Sequence, residues 1–386
     1  MIKNIQYKKL GEICNFISGG TPSKSKNEYW KNGNIPWIKI SDFKEKYIKC
    51  SDEKITKNGL ENSSAKLLKK GTILYTIFAS VGKVAILDIE ATTNQAIVGV
   101  NLKENNLVDK DFLYYFLCSI ENNIKRQARG VAQNNINISI LKNVCIPILP
   151  ISSQKNIVKT LKRLEDILEN FKQKKILINF LNKSLFTTMF GDIKTNDKNW
   201  KLFEIKEISN IITRGKTPKY ASSSNIFVIN QACIYWDKLK YENVKFHIED
   251  ESLLFLKNKD VLINSTGTGT LGRMNVIQNI IHEKFTIDSH VMLVRLKTEK
   301  TLPLYFINIF MNEKYQKDLL LKCVNGSTNQ IELSKEKFSK FKIPIPPIEL
   351  QNKFAEKVEK IEKLSFISKK LPIFMDFKVL YKKVSA

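Results

Sequence analysis

The segment Ile146-Pro147-Ile148-Leu149-Pro150-Ile151-Ser152-Ser153-Gln154 returns in the second half as Ile343-Pro344-Ile345-Pro346-Pro347-Ile348-Glu349-Leu350-Gln351. Pro147 pairs with Pro344, Pro150 with Pro347 and Gln154 with Gln351, all at one offset of just over half the chain. The chain is therefore a duplicated unit, and each half must build its own version of one architecture. Prolines fix φ and bias the preceding residue toward extended backbone, so each copy leaves its domain as an extended strap and becomes helical only after its last proline. Ser152 or Ser153 is the expected cap of the first helix. Glu349 falls in the first turn of the second, where a carboxylate suits the positive end of the helix dipole.

The helix expected from Ser153 to Met189 carries Ile157, Leu161, Leu164, Leu168 and Phe171 in alternating steps of four and three, the spacing of a coiled-coil seam. Ile178, Leu181, Leu185 and Met189 continue the stripe past Lys175 and Asn182, and Gly191 is the expected stop. After Pro347, a second stripe of Leu350, Phe354, Val358, Ile361, Leu364 and Leu371 runs to Pro372, which stops or kinks it. Two helices with one apolar stripe each most simply pack on each other. At 386 residues the chain is too long for one typical core. We expect domains at 1–150 and 192–347, with spacer helices at 151–191 and, with a tail, at 348–386.

Both domains read as mixed α/β. Gly71 to Ile77 and Lys83 to Leu87 are strand candidates around an Ala79-Ser80-Val81-Gly82 turn, and Asp111 to Leu117 reads as a buried helix. In the second half, Asp260-Val261-Leu262-Ile263 answers the first of these strands and Gly272-Arg273 answers Gly82-Lys83. Lys216-Thr217-Pro218-Lys219 answers Gly20-Thr21-Pro22-Ser23, and the polar loop 325–330 answers the loop 129–135.

A formal net charge of +25 points to a polyanionic partner, because lysines and arginines that neutralise phosphates release condensed counterions. The chain is also rich in Lys, Asn and Ile generally, so part of the excess is compositional. Basic residues are dispersed rather than gathered in one cluster of the kind that binds membrane surfaces. No apolar run reaches about eighteen residues and Met1-Ile2-Lys3-Asn4 opens no signal peptide, so a cytoplasmic protein without a membrane partner is expected. Six scattered cysteines without a Cys-x-x-Cys pair, and three histidines confined to the second half, suggest neither a disulfide framework nor a metal site.

Gly267-Thr268-Gly269-Thr270-Leu271-Gly272 matches the dinucleotide fingerprint and follows a strand. The third glycine should then open a helix, yet Arg273 to Ile277 reads as another strand, which favours a flexible hairpin. A nucleotide-dependent enzyme built on this turn is the alternative from another class, and a sequence-indifferent nucleic-acid scaffold is a third. No Cys/His pair, Gly-x-Ser-x-Gly elbow, zincin helix, Walker loop or methyltransferase Asn/Asp-Pro-Pro-Tyr/Phe step is present. A non-catalytic chain is expected.

The repeated polar loops are the better functional candidates, since Ser, Thr, Asn, Gln, Lys and Arg contact phosphates and base edges. The candidate DNA-binding residues of the first half are Gly20, Thr21, Lys24, Lys26, Lys39, Lys83, Asn94, Gln95, Gln133, Asn134 and Asn135. Those of the second are Lys216, Thr217, Lys219, Arg273, Ser289, His290, Thr328, Asn329 and Gln330. For any one of them, a turn satisfied by its own side chain competes with base contact.

Two α/β domains with Gly/Lys-Thr-Pro loops, each followed by Ile-Pro-x-x-Pro-x-x-x-Gln and a long helix, resemble the specificity subunit of type I restriction-modification enzymes. Met189-Phe190-Gly191-Asp192 at the end of the first helix adds to that resemblance, which covers nearly the whole chain. It implies two target recognition domains, each reading one half of a split, asymmetric site in double-stranded DNA, separated by antiparallel coiled-coil helices. It also implies partners: modification subunits that methylate adenine with S-adenosylmethionine, and restriction/translocase subunits that use ATP and Mg. No cofactor is expected on this chain itself. The interruption at Pro372 departs from the ideal repeat.

Overall fold

The computed structural model describes residues 5–103, 107–128, 136–267, 269–280, 284–326 and 331–369. They fall into two units, one ending at Phe171 and one beginning at Lys172.

In the first unit, Cys14–Ser18, Ile97–Leu102, Ile73–Thr76 and Val84–Leu87 lie side by side as an antiparallel sheet, with Tyr47–Ile48 added parallel to Val84–Leu87. Ile35–Ile38 forms the centre of a smaller sheet, antiparallel to Lys54–Ile55 and parallel to Thr92–Thr93. The Lys110–Ser119 helix begins where the Asp109 carboxylate accepts the Phe112 N–H at 3.1 Å. Its residues Phe112 to Leu117 are all buried, as befits a helix apolar all round.

The first proline strap is itself a strand. Cys145–Ile148 pairs antiparallel with Gln6–Lys9, placing Pro147 opposite Tyr7 in a two-stranded ribbon where a missing N–H is tolerated. The long helix then starts at Ile151, not Ser153, and runs to Phe190. Pro150 contributes its carbonyl to the Gln154 N–H at 3.0 Å, so the turn closes directly behind the last proline and Ser152 and Ser153 lie inside the helix rather than capping it.

The second unit repeats the plan. Ser209–Arg214, Val291–Leu296, Val261–Asn264 and Met274–Val276 form its antiparallel sheet, and Tyr220–Ala221, Lys245–His247, Ile226–Ile229 and Phe285–Ile287 its second. Again the central strand of the second sheet, Ile226–Ile229, is antiparallel to one neighbour and parallel to the other. Leu202–Glu204 pairs with the second strap, Lys342–Pro344, with Leu202 opposite Pro344. The second long helix runs Ile348–Lys369 with Glu349 in its first turn, as expected. Leu371 and Pro372 lie outside the described residues.

The two apolar stripes do pack on each other at one end, as expected, and elsewhere they also pack on the domain cores. Ile157, Val158, Leu161 and Leu164 pack on the first unit's core with Leu10, Val100 and Phe112. Leu185, Phe186, Met189 and Phe190 pack on the second unit's core, together with Leu350, Phe354 and Val358 of the second long helix. Each such side chain contributes roughly 1.5–3 kcal/mol when fully buried. The two long helices meet at this end: Phe354 lies 5.5 Å from Phe186 and 5.3 Å from Phe190, ring centre to ring centre, and Tyr305 closes the cluster at 4.8 Å from Phe190. Gly191 ends the first helix at φ +77°, its N–H on the Thr187 carbonyl at 2.8 Å. Between the two packed ends, Leu168, Ile176, Leu177, Phe180 and Leu181 stand exposed.

Candidate nucleic-acid interface

Residues that are distant in sequence meet at the Gly-Thr-Pro loop of the first unit. The Gly19 N–H bonds to the Ile97 carbonyl at 3.0 Å and the Gly20 N–H to the Thr93 carbonyl at 2.8 Å. A Cβ on Gly19 would stand 2.0 Å from the Asn94 carbonyl oxygen, so only glycine fits. Thr21 then donates its hydroxyl proton to the Gln95 side-chain carbonyl. The candidates Gly20, Thr21, Asn94 and Gln95 are thus brought together. Asn94 spends its side-chain oxygen on the Ala96 N–H at 3.1 Å, a turn satisfied locally, whereas Gln95 is exposed.

The basic candidates of the first unit are more constrained than their sequence suggests. Trp37 is buried and donates its indole N–H to the Gly20 carbonyl at 2.9 Å, and Trp30 meets it edge to face at 5.0 Å. Over Trp30, at 3.4 Å from the ring centre, sits the Lys24 ammonium, which also reaches the Glu53 carboxylate at 2.6 Å. Lys39 takes the other Glu53 oxygen. The two lysines hold the Glu53 carboxyl below the ordinary carboxylate range. Lys26 lies 2.9 Å from the Tyr29 hydroxyl. Lys83 is exposed beside Gly82.

The second unit keeps the backbone scaffold and changes the side chains. Gly215 takes the place of Gly19, its N–H on the Val291 carbonyl at 3.2 Å and a Cβ there 2.1 Å from the Ile287 carbonyl oxygen. The Lys216 backbone forms an isolated parallel β-bridge with Asp288, which sets this loop beside Asp288-Ser289-His290. Asp288 is buried, which pushes its carboxyl up, and it accepts the His290 N–H at 2.9 Å. His290 is exposed and its Nδ1 lies 2.8 Å from the Thr266 hydroxyl. Lys216, Thr217 and Lys219 are exposed, and Ser289 is partly so.

The glycine-rich turn is a hairpin: Val261–Asn264 and Met274–Val276 are antiparallel, and no helix follows Gly272. Gly267, Gly269 and Gly272 all have positive φ, so the turn itself demands them. Gly272 donates to the Asn264 carbonyl at 2.8 Å just as Gly82 donates to Thr76 at 3.0 Å, which sustains the alignment of Gly272-Arg273 with Gly82-Lys83. Arg273 folds back on the hairpin, 3.0 Å from the Gly269 carbonyl, with its guanidinium 5.2 Å from the Tyr235 ring centre.

Gln133, Asn134, Asn135, Thr328, Asn329 and Gln330 lie outside the described residues. Sequence reasoning missed Glu53, Thr266 and Tyr235. Among them, Thr266, one residue before the glycine-rich turn, was the one with a local signal.

A model of the type I restriction modification DNA specificity domain matches residues 2–179 and again 197–373. An Escherichia coli type I restriction enzyme specificity subunit is 34% identical over 169 residues, a match spanning 42% of this chain and 41% of that one. The Methanocaldococcus jannaschii MjaIX specificity subunit is 25% identical over 388 residues, covering 92% of this chain and 86% of the relative. The fold is also that of a type I restriction-modification S subunit from M. genitalium, at TM-score 0.54 and 18% identity over 96% of this chain and 93% of that one. With its two matched halves taking in most of its length, the chain belongs to the type I restriction-modification DNA specificity family.

Proposed function

We propose that this chain is the DNA-reading subunit of a type I restriction-modification complex, residues 1–150 and 192–347 each reading one half of a split, asymmetric duplex site. The observation that carries the reading is one backbone scaffold bearing two side-chain sets. The Ile77 N–H on the Ala96 carbonyl recurs as the Ser265 N–H on the His290 carbonyl, and the Ile136 N–H on Ile77 as the Leu333 N–H on Ser265. The side chains on that scaffold differ: one unit pairs Thr21 with Gln95, whereas the other sets the Asp288 carboxylate on the His290 backbone N–H and the His290 ring on the Thr266 hydroxyl. Two readers of different base sequences need this combination, because phosphate and backbone contacts position a domain while exposed polar groups specify bases.

Adenine methylation in this reading belongs to modification subunits using S-adenosylmethionine, and cleavage to restriction/translocase subunits using ATP and Mg. The chain itself is non-catalytic, binds no cofactor and works on cytoplasmic DNA. The net charge of +25 supplies the sequence-independent part of DNA affinity. Among the described residues no helix is long and apolar enough to cross a membrane. The test is methyl transfer to DNA by the purified chain, alone and with its modification subunits. Transfer that needs the partners supports the reading, and transfer by the homogeneous chain alone contradicts it.

A further inference from the structure

Gln154 and Gln351 mark the end of the repeated motif, and neither exposes any surface. The Gln154 side-chain carbonyl accepts the Asp109 N–H at 2.7 Å, and its amide donates to the Leu107 carbonyl at 2.9 Å and the Leu149 carbonyl at 2.7 Å. Gln351 repeats the set: it accepts the Leu302 N–H at 2.8 Å and donates to Lys300 at 3.1 Å and Pro346 at 2.9 Å. Asp109 and Leu302 are the cap residues of equivalent helices, Lys110–Ser119 and Pro303–Phe310. Leu149 and Pro346 are the residues before the last proline of each strap. One glutamine thus ties together three segments of its unit: the loop entering a core helix, the strap, and the first turn of the long helix.

Local folding does not require this. Each helix already starts behind its proline, and the apolar stripes already attach it to the core. Apolar contacts are non-directional, whereas three hydrogen bonds from one planar amide fix an orientation. Glutamine suits the task because it offers both donors and an acceptor without charge; a glutamate would set a carboxylate against two carbonyl oxygens.

We propose that Gln154 and Gln351 are positioning residues, each holding its long helix at one angle on the unit that precedes it, and so governing how strictly the spacing between half-sites is read. The proposal rests on the DNA-reading assignment above. It concerns spacing and leaves base preference to the loops.

The test uses the full chain with its modification subunits and a DNA library in which the spacer between half-sites varies. Gln154→Met keeps an unbranched side chain and removes the amide. Preference for the native spacing over one base pair more should fall about tenfold, while base preferences within each half-site change by less than about twofold. Val100→Ala, a buried substitution in the same unit that touches none of these hydrogen bonds, is the comparison for a purely structural effect. No relaxation in Gln154→Met, or equal relaxation in Val100→Ala, would overturn the proposal. If Gln154→Met does not fold, amide exchange in the unaltered chain decides. Protection of the Asp109 and Leu302 N–H groups at the level of the sheet amides supports the latch, and exchange at the rate of loop amides overturns it. Failure of the DNA-reading assignment shows separately, as an unaltered complex that selects no split site, which overturns both.

Discussion

Arg295 grips Asp260 with two parallel hydrogen bonds, Nε to one carboxylate oxygen and a terminal nitrogen to the other, each 2.7 Å long. Asp260 is buried and also accepts the Lys257 N–H at 2.7 Å, so its carboxylate ties the entry of the Val261–Asn264 strand to the neighbouring Val291–Leu296 strand. Removing one partner of such a pair leaves the other charge buried without compensation, at a cost of about 3–5 kcal/mol. Arg295→Ala, which strands the buried Asp260 carboxylate, should therefore destabilise the second unit by that order in denaturant melts. A loss under about 1 kcal/mol would mean that the pair is solvated.

Glu53 holds two of the first unit's candidate DNA-contacting lysines, Lys24 and Lys39. With Lys24 and Lys39 on its two oxygens, the Glu53 carboxylate offsets part of the positive charge that either lysine can offer to phosphate. Glu53→Gln should strengthen DNA binding at low salt and steepen the salt dependence by up to about two units. Titrating affinity against salt checks this, and an unchanged slope would show that both lysines already face phosphate.

The same contact has an acid limit. Glu53 titrates below its ordinary 4.5, so its attraction for the lysines is complete above that value and is lost as pH falls through the lowered one. Fluorescence of Trp30, which carries the Lys24 ammonium on its ring, should be flat near neutrality and change only below about 4.5. Glu53→Gln should remove that change.

In the second unit, exposed Lys216 and Lys219 should act differently from exposed His290. Replacing either lysine by alanine should weaken binding evenly across sequences and lower the salt slope by about one. His290→Ala should relax preference at one base pair, at a cost of about 1 kcal/mol, since with Nδ1 on Thr266 only one ring nitrogen is left for a base. Selection from a randomised site library separates the two effects; uniform weakening by all three would make this loop a positioning element.

Much of this plan was legible in the sequence because it was written twice. The proline straps, the paired glycine loops and the hairpin behind the false dinucleotide fingerprint are local patterns, and comparing the halves exposed them. Glu53 was not legible, since it reaches Lys24 only through the pairing of Lys54–Ile55 with Ile35–Pro36. Heptad spacing also could not reveal that Ile157 to Leu164 face their own domain's core, because a stripe records that a face is buried and not against what. Gln154 and Gln351 were visible as alignment marks, but two of the three hydrogen-bond partners of each lie 45 to 51 residues away.

The 40-residue helix should behave as a ruler about 60 Å long. A heptad inserted after Phe171 falls between Leu164, on one core, and Leu185, on the other, so both anchors survive. The insertion adds about 10 Å, or roughly three base-pair steps. Mapping sites for the reconstituted complex should show the same half-sites around a longer spacer, and an active complex with unchanged spacing would assign that distance to the partners.

The most direct test of the two-reader account exchanges residues 1–150 for the corresponding domain of another specificity subunit and maps methylated adenines in DNA exposed to the reconstituted complex. One half-site should take a new sequence, while the other stays identical to that of the unaltered chain. Simultaneous change of both half-sites, or of neither, would contradict the two-reader account.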